Sequence, residues 1–117
     1  MLVHEGVVME KLLNVMQELR EKCPWDQAQT PESLTRYAIE EAYEVEDAVR
    51  QGDPKHVKEE LGDLLLQVVF QSQMYSERGD FNFSDVVDAI TEKLIRRHPH
   101  VFQSESSEKL SPEQVSA

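Results

Sequence analysis

Two short acidic runs carry the groups with chemistry to offer, Glu40-Glu41-Ala42-Tyr43-Glu44 and Glu59-Glu60-Leu61-Gly62-Asp63. Both lie in segments whose apolar residues recur every three or four positions, the spacing of an α-helix. At about 100° per residue, Leu34, Ala38, Ala42, Val45, Ala48 and Val49 form one stripe, with Glu41 inside it, Glu44 on its border and Glu40 further out. In the next segment Glu60 and Asp63 share a face that Gln67 and Gln71 continue, with Val57, Leu61, Leu64, Leu66, Val68 and Phe70 to either side. An ionised carboxylate is costly to take out of water unless it is paired or binds a metal. Acids converging from two such helices therefore need a shared cation, and oxygen ligands favour Mg²⁺ or Mn²⁺. A Glu on a helix is ordinarily solvated. Glu46, Asp47 and Glu59 fit that description, whereas Glu41, Glu44, Glu60 and Asp63 have apolar neighbours at helical spacing.

Positioning these acids is the work of helices. Val8, Met9, Leu12, Leu13, Val15, Met16 and Leu19 predict a first amphipathic helix over about Glu5 to Lys22. Cys23-Pro24-Trp25-Asp26 breaks the period and is expected to be a loop, with Trp25 either a lid over the core or a flat surface for a ligand's base. Thr30 as N-cap, Pro31 at the first helical position and Gly52 as stop bound the second helix. Asp53-Pro54 repeats the start signal, and the third helix runs to Arg78 before Gly79. That helix is apolar around most of its circumference, so it belongs at the centre of a bundle or a subunit interface. Ser84 is expected to cap a fourth helix with Val86, Val87, Ile90 and Leu94 as its stripe and Lys93, Arg96 and Arg97 close to it. His98-Pro99-His100 ends that helix, in a capping or loop role rather than a metal-binding one. The expected fold is an all-α, four-helix bundle-like domain over 1–102 with a long central helix, associating as a homodimer or larger homo-oligomer. Residues 103–117 read as a polar, flexible tail or as the start of a truncated following helix at Ser111-Pro112-Glu113.

A chain of 117 residues has room for one small core. Its formal net charge of −11 argues against a nucleic-acid polymer or an anionic membrane surface as partner. Cys23 is the lone cysteine, which excludes an internal disulfide and a thiolate zinc cluster and suits the cytoplasm. No apolar run is long enough to span a bilayer, and the first residues lack the order of a signal peptide.

Carboxylates for a divalent ion, cations on another helix and an aromatic outside the helical stripes together suit a nucleoside triphosphate. No glycine-rich phosphate loop is present, and no Cys, Ser or His arrangement points to a covalent intermediate. Glu40-Glu41-x-x-Glu44 followed by Glu60-x-x-Asp63 resembles the signature of the MazG family of all-α nucleoside triphosphate pyrophosphohydrolases. The resemblance extends through Cys23-Pro24-Trp25-Asp26, Glu60-Leu61-Gly62-Asp63-Leu64-Leu65 and the stretch from Lys93 to Phe102, covering about residues 8–102. It implies Mg²⁺-dependent hydrolysis of a nucleoside triphosphate to monophosphate and pyrophosphate, with water attacking the α-phosphorus. It also implies that Glu41, Glu44, Glu60 and Asp63 hold the metal and that Glu40 is a further ligand or the base that orients water. Lys93, Arg96 and Arg97 would then meet the phosphates and Trp25 the base. Gln27 stands where related sequences often carry a Lys. The competing expectation is a non-catalytic or weakly active helical module that serves oligomerisation within a longer protein. A di-iron carboxylate site is disfavoured because no His lies three residues after a Glu.

Overall fold

The structure, a computed structural model, describes residues 2–102 together with Ser111 and Glu113, with side chains from residue 4 on. The expectation for 103–117 falls outside them apart from those two positions. The described elements are all helices: α1 (Leu2–Lys22), α2 (Pro24–Ala28), α3 (Pro31–Gln51), α4 (Pro54–Glu77), α5 (Phe83–Arg97) and α6 (Pro99–Phe102). They fall into two compact units, Met1–Phe81 and Asn82–Ala117.

In the first unit, α3 and α4 form a helical hairpin whose ends are set by local chemistry. The Thr30 hydroxyl accepts from Ser33 N at 3.1 Å, and Ser33 Oγ accepts from Thr30 N at 2.9 Å, a reciprocal cap with Pro31 next in line. At the other end Gly52 takes φ 78°, a left-handed conformation costly for a residue with a Cβ, and its N–H returns to Ala48 and Val49 carbonyls. Asp53 caps α4 by accepting from Lys55 N at 3.1 Å. The chain reverses within two residues, so α3 and α4 run antiparallel and pack along their length. Gln71 Nε2 donates to Pro31 O at 2.9 Å and pins the far end of the pair. The core comprises Met16, Leu34, Ala48, Val69, Phe70 and Met74. The buried Ser72 satisfies its hydroxyl on Val68 O at 2.8 Å. Burial is concentrated in the C-terminal half of α4. Ala42 and Val49, expected on the apolar stripe of α3, are exposed, as are Leu61, Leu65, Leu66 and Val68 on α4.

The 23–26 segment differs from the loop expected there. Proline lacks an N–H that a first helical turn would leave unbonded anyway, so Pro24 starts the one-turn helix α2 rather than preventing it. Arg20 holds that turn in place. Its Nη1 reaches the carbonyls of Asp26 at 2.7 Å, Gln29 at 3.2 Å and Gln27 at 3.4 Å. Its Nε and Nη2 donate to the two oxygens of Glu77 at 2.9 and 2.6 Å, a bidentate pair linking α1 to the end of α4.

In the second unit α5 starts two residues earlier than the expected Ser84 cap. Asn82 Oδ1 accepts from Asp85 N at 3.0 Å while the Asp85 carboxylate accepts from Asn82 N at 2.9 Å. That reciprocal pair satisfies two backbone donors, where Ser84 alone would satisfy one. His98 ends α5 with Nδ1 2.6 Å from Leu94 O, a capping role as expected.

The Arg20 bond holds the Glu77 carboxyl below its usual range. A depressed acid stabilises the fold fully above its unfolded pKa of about 4.3, and that contribution disappears as pH falls through the folded value. Arg20→Ala, which also removes a donor from three carbonyls, of which Asp26 O keeps the Gln29 N–H, is expected to cost on the order of 2 kcal/mol at pH 7. Glu77→Gln, losing one half-exposed partner, should cost about 1 kcal/mol or less. Urea titrations at pH 7 and near pH 3 check both, and the gap between wild type and Glu77→Gln should narrow in acid.

Candidate metal centre

The antiparallel hairpin brings the two acidic runs together. One oxygen from each of Glu41, Glu60 and Asp63 lies within 4.8 Å of the others. Glu41 comes from the middle of α3, while Glu60 and Asp63 sit three apart on α4, which puts both on one helical face. Burial is graded across the set. Glu41 and Glu60 are half-buried and Asp63 is exposed. The Oε2 atom of Glu41 is fully buried with no hydrogen-bond donor.

Three carboxylates this close repel one another, and the most enclosed bears most of the cost. The Glu41 carboxyl is pushed above its ordinary range, first by burial, then by the negative charges of Asp63 and Glu60, by the hydrogen bond that a proton shared with Glu60 makes, and last by the charge of Glu44. Glu44 itself is exposed, one turn along α3 from Glu41, and acts through its charge. Glu40 is exposed, outside the three-acid cluster, and its charge acts on Arg36. An orphaned, buried carboxylate oxygen among other acids is the environment that a hard divalent cation satisfies, so the donor set fits Mg²⁺ or Mn²⁺.

Residues 29–102 match the family described as the MazG nucleotide pyrophosphohydrolase domain. The chain belongs to this family. A Thermotoga maritima protein named nucleoside triphosphate pyrophosphohydrolase/pyrophosphatase MazG is 52% identical over 99 residues, which cover 83% of this chain and 39% of that protein. An Escherichia coli protein named nucleoside triphosphate pyrophosphohydrolase is 49% identical over 106 residues, covering 88% of this chain and 40% of the relative. The chain thus spans about two fifths of the length of these curated relatives. Among solved structures, a mazG-related protein from Thermotoga maritima superposes with a TM-score of 0.73 at 28% identity, covering 90% of each chain.

For the other candidate residues of this MazG-family chain, the placements are as follows. Trp25 lies on α2, 53% exposed, with its ring edge-on to Tyr37 at 6.1 Å and to Phe70 at 6.4 Å. It both covers the buried Phe70 and presents an open surface. Lys93, Arg96 and Arg97 lie on α5, in the second unit. Gln27, at the position where a Lys is common, donates Nε2 to Glu21 O at 2.5 Å and so caps the end of α1. Two further polar residues stand near the cluster: His56, not singled out from the sequence, and Gln67, expected on the face of Glu60 and Asp63 but without a role. His56 Nε2 stands 3.7 Å from Glu60 Oε1, too far for a hydrogen bond but close enough for an ion pair when the ring is protonated. Gln67 has a buried Oε1 without a donor. Their spacing was the available signal: His56 is four residues before Glu60, and Gln67 is four after Asp63.

A raised acid opposes folding once ionised, so Glu41 costs stability at neutral pH and nothing below its unfolded pKa, about 4.3. Glu41→Gln should therefore melt higher than wild type without metal at pH 7, with the difference vanishing as pH falls below the unfolded pKa. Adding Mg²⁺ or Mn²⁺ should raise the wild-type melting temperature and leave Glu41→Gln nearly unchanged. Circular dichroism melts measure all four conditions.

Proposed function

We propose that the chain hydrolyses nucleoside triphosphates to nucleoside monophosphate and pyrophosphate, with water as nucleophile at the α-phosphorus. The observation that carries this is the convergence of Glu41, Glu60 and Asp63, with an orphaned buried oxygen, in a chain of the MazG nucleotide pyrophosphohydrolase family. The names of the relatives, which are nucleoside triphosphate pyrophosphohydrolases, support the same substrate class.

In this proposal Glu41, Glu60 and Asp63, with Glu44 beside them, hold Mg²⁺ or Mn²⁺, which supplies Lewis acidity and neutralises phosphate charge. Bond making and breaking balance simply. The water oxygen joins the α-phosphorus, the bridging oxygen to the β-phosphorus leaves with pyrophosphate, and a carboxylate takes the proton. Glu40, next to Glu41 on α3, is the candidate for that last role or a further ligand that orients water, while Glu41 stays with the ion. Lys93, Arg96 and Arg97 are assigned to the phosphates as charge-assisted donors, and the open face of Trp25 to the base. No described helix is long and apolar enough to cross a membrane. We place the reaction in the cytoplasm, where nucleoside triphosphates are made and a lone cysteine stays reduced. A second copy of the chain is proposed to cover the exposed Val49 and Leu61, giving a homodimer or larger homo-oligomer.

Hydrolysis in ¹⁸O-labelled water with Mg²⁺ tests the bond cleaved. Label is expected in the monophosphate and none in pyrophosphate; the reverse pattern places attack at the β-phosphorus. Glu60→Gln and Asp63→Asn should each lower turnover at least a hundredfold, on the order of the loss of one charge-stabilising group. Lys93→Ala should raise KM for the triphosphate while leaving Mn²⁺ affinity near wild type. Turnover near wild type in both acid variants would favour the non-catalytic module.

A further inference from the structure

Two buried acceptor atoms have no donor among the described residues, Glu41 Oε2 and Gln67 Oε1. The first belongs to the carboxylate cluster. The second has no such account, and a buried amide oxygen without a partner is costly enough that it ordinarily finds one.

Its position narrows what the partner is. The register of α3 against α4 is fixed by two crossings, Glu41 beside Glu60 and Asp63, and Pro31 O bonded to Gln71. Gln67 lies between them, one turn after Asp63 and one turn before Gln71 on the same face of α4. Residues 34–38 of α3 pass opposite: the buried Leu34 and half-buried Ala38 offer no donor, and the hydroxyl of the half-buried Tyr37 does not bond Gln67 Oε1. Gln71, the next amide along, is already committed to Pro31. Beyond Gln67 comes Phe70, which carries the edge of Trp25. At 1.5 Å per residue, Gln67 is about 6 Å and Phe70 about 10 Å past Asp63 along the helix. Acids, orphaned acceptor and aromatic pair thus follow one another in the order in which a nucleotide presents phosphate, sugar and base.

We propose that Gln67 Oε1 accepts a hydrogen bond from a hydroxyl of the substrate's sugar and so helps to determine which nucleotides are hydrolysed. This rests on reading the carboxylate cluster as a triphosphate site. A carbonyl oxygen bonds an O–H and gains nothing from a C–H in its place, so a site built on it rejects the analogue that lacks the hydroxyl. A phosphate oxygen, being itself an acceptor, would not satisfy Gln67 Oε1; a base N–H would, but the order along α4 sets the base against Trp25, one turn beyond Gln67.

The test compares kcat/KM for the ribo-, 2′-deoxy- and 2′,3′-dideoxynucleoside triphosphates of one base, in wild type and Gln67→Met, beside melting temperatures without ligand. Wild type should disfavour the dideoxy substrate roughly tenfold, as expected for one lost hydrogen bond to a buried group. The ribo and 2′-deoxy arms tell whether the 2′ or the 3′ hydroxyl is the donor. Gln67→Met should collapse this discrimination to within about twofold, and its ligand-free melting temperature should equal or exceed that of wild type, because the deleted atom has no partner to lose. An equal drop for all three substrates, or a ligand-free melting temperature several degrees lower, would overturn the assignment by showing that the amide is bonded within the fold. Hydrolysis by wild type without discrimination overturns this assignment alone. Absence of hydrolysis of any of the three overturns the triphosphate reading and the assignment with it.

Discussion

Everything that gives this chain chemistry depends on one constraint, the antiparallel pairing of α3 and α4 in a register that sets Glu41 against Glu60 and Asp63. The caps at Thr30 and Asp53 and the left-handed turn at Gly52 fix where each helix starts and stops. The Gln71 bond to Pro31 fixes the other end. Between those anchors the helices cannot slide by a turn without unbonding one of them, so the acids are forced together although their charges oppose it. Burial of Leu34, Ala48, Val69 and Phe70 supplies the free energy that holds the acids in that arrangement. The raised pKa of Glu41 and its orphaned oxygen are the residue of that conflict.

Arg20 extends the same frame to the aromatic end. Its two hydrogen bonds to Glu77 secure α1 against α4, and the remaining nitrogen gathers the carbonyls of α2, the turn that carries Trp25. The guanidinium also lies 6.0 Å above the Phe70 ring, against whose face Trp25 sets its edge. The position of the tryptophan relative to α4 is therefore set by a charged clamp rather than by a large apolar contact. One helix, α4, thus carries Glu60 and Asp63 as well as Phe70, and distances along it are those of a rigid rod.

Much of this was legible in the sequence because it is written in local signals. Thr30-Pro31 and Asp53-Pro54 act on their own backbone within three residues, and Gly52 answers a local conformational demand, so the bounds of α3 and the start of α4 follow directly. Glu41, Glu60 and Asp63 were legible because their spacing places them on the faces that meet, whereas Glu44, expected with them, is exposed and outside that group of three. What escaped was set by less local or competing effects. Pro24 was read as a breaker although proline also begins helices, and Asn82 outcompetes Ser84 through the returning carboxylate of Asp85. The role of Arg20 could not be read, since its partner Glu77 is 57 residues away. Ala42 and Val49 share the periodicity of the buried residues, yet the hairpin contact is narrower than their stripe. Gln67 and Gln71 look alike in sequence. Only the crossing at Pro31 separates the satisfied amide from the unsatisfied one.

The central claim is that the cluster around Glu41 holds a proton or a divalent cation, but not both. Calorimetric titration of Mn²⁺ into the protein at mildly acidic pH, repeated in two buffers of different ionisation enthalpy, counts the protons released on binding. Wild type should release more protons per ion than Glu41→Gln, which should also bind Mn²⁺ more weakly. Equal affinity and equal proton release in the two proteins would mean that the ion binds elsewhere and that the buried oxygen of Glu41 is not the centre of the site.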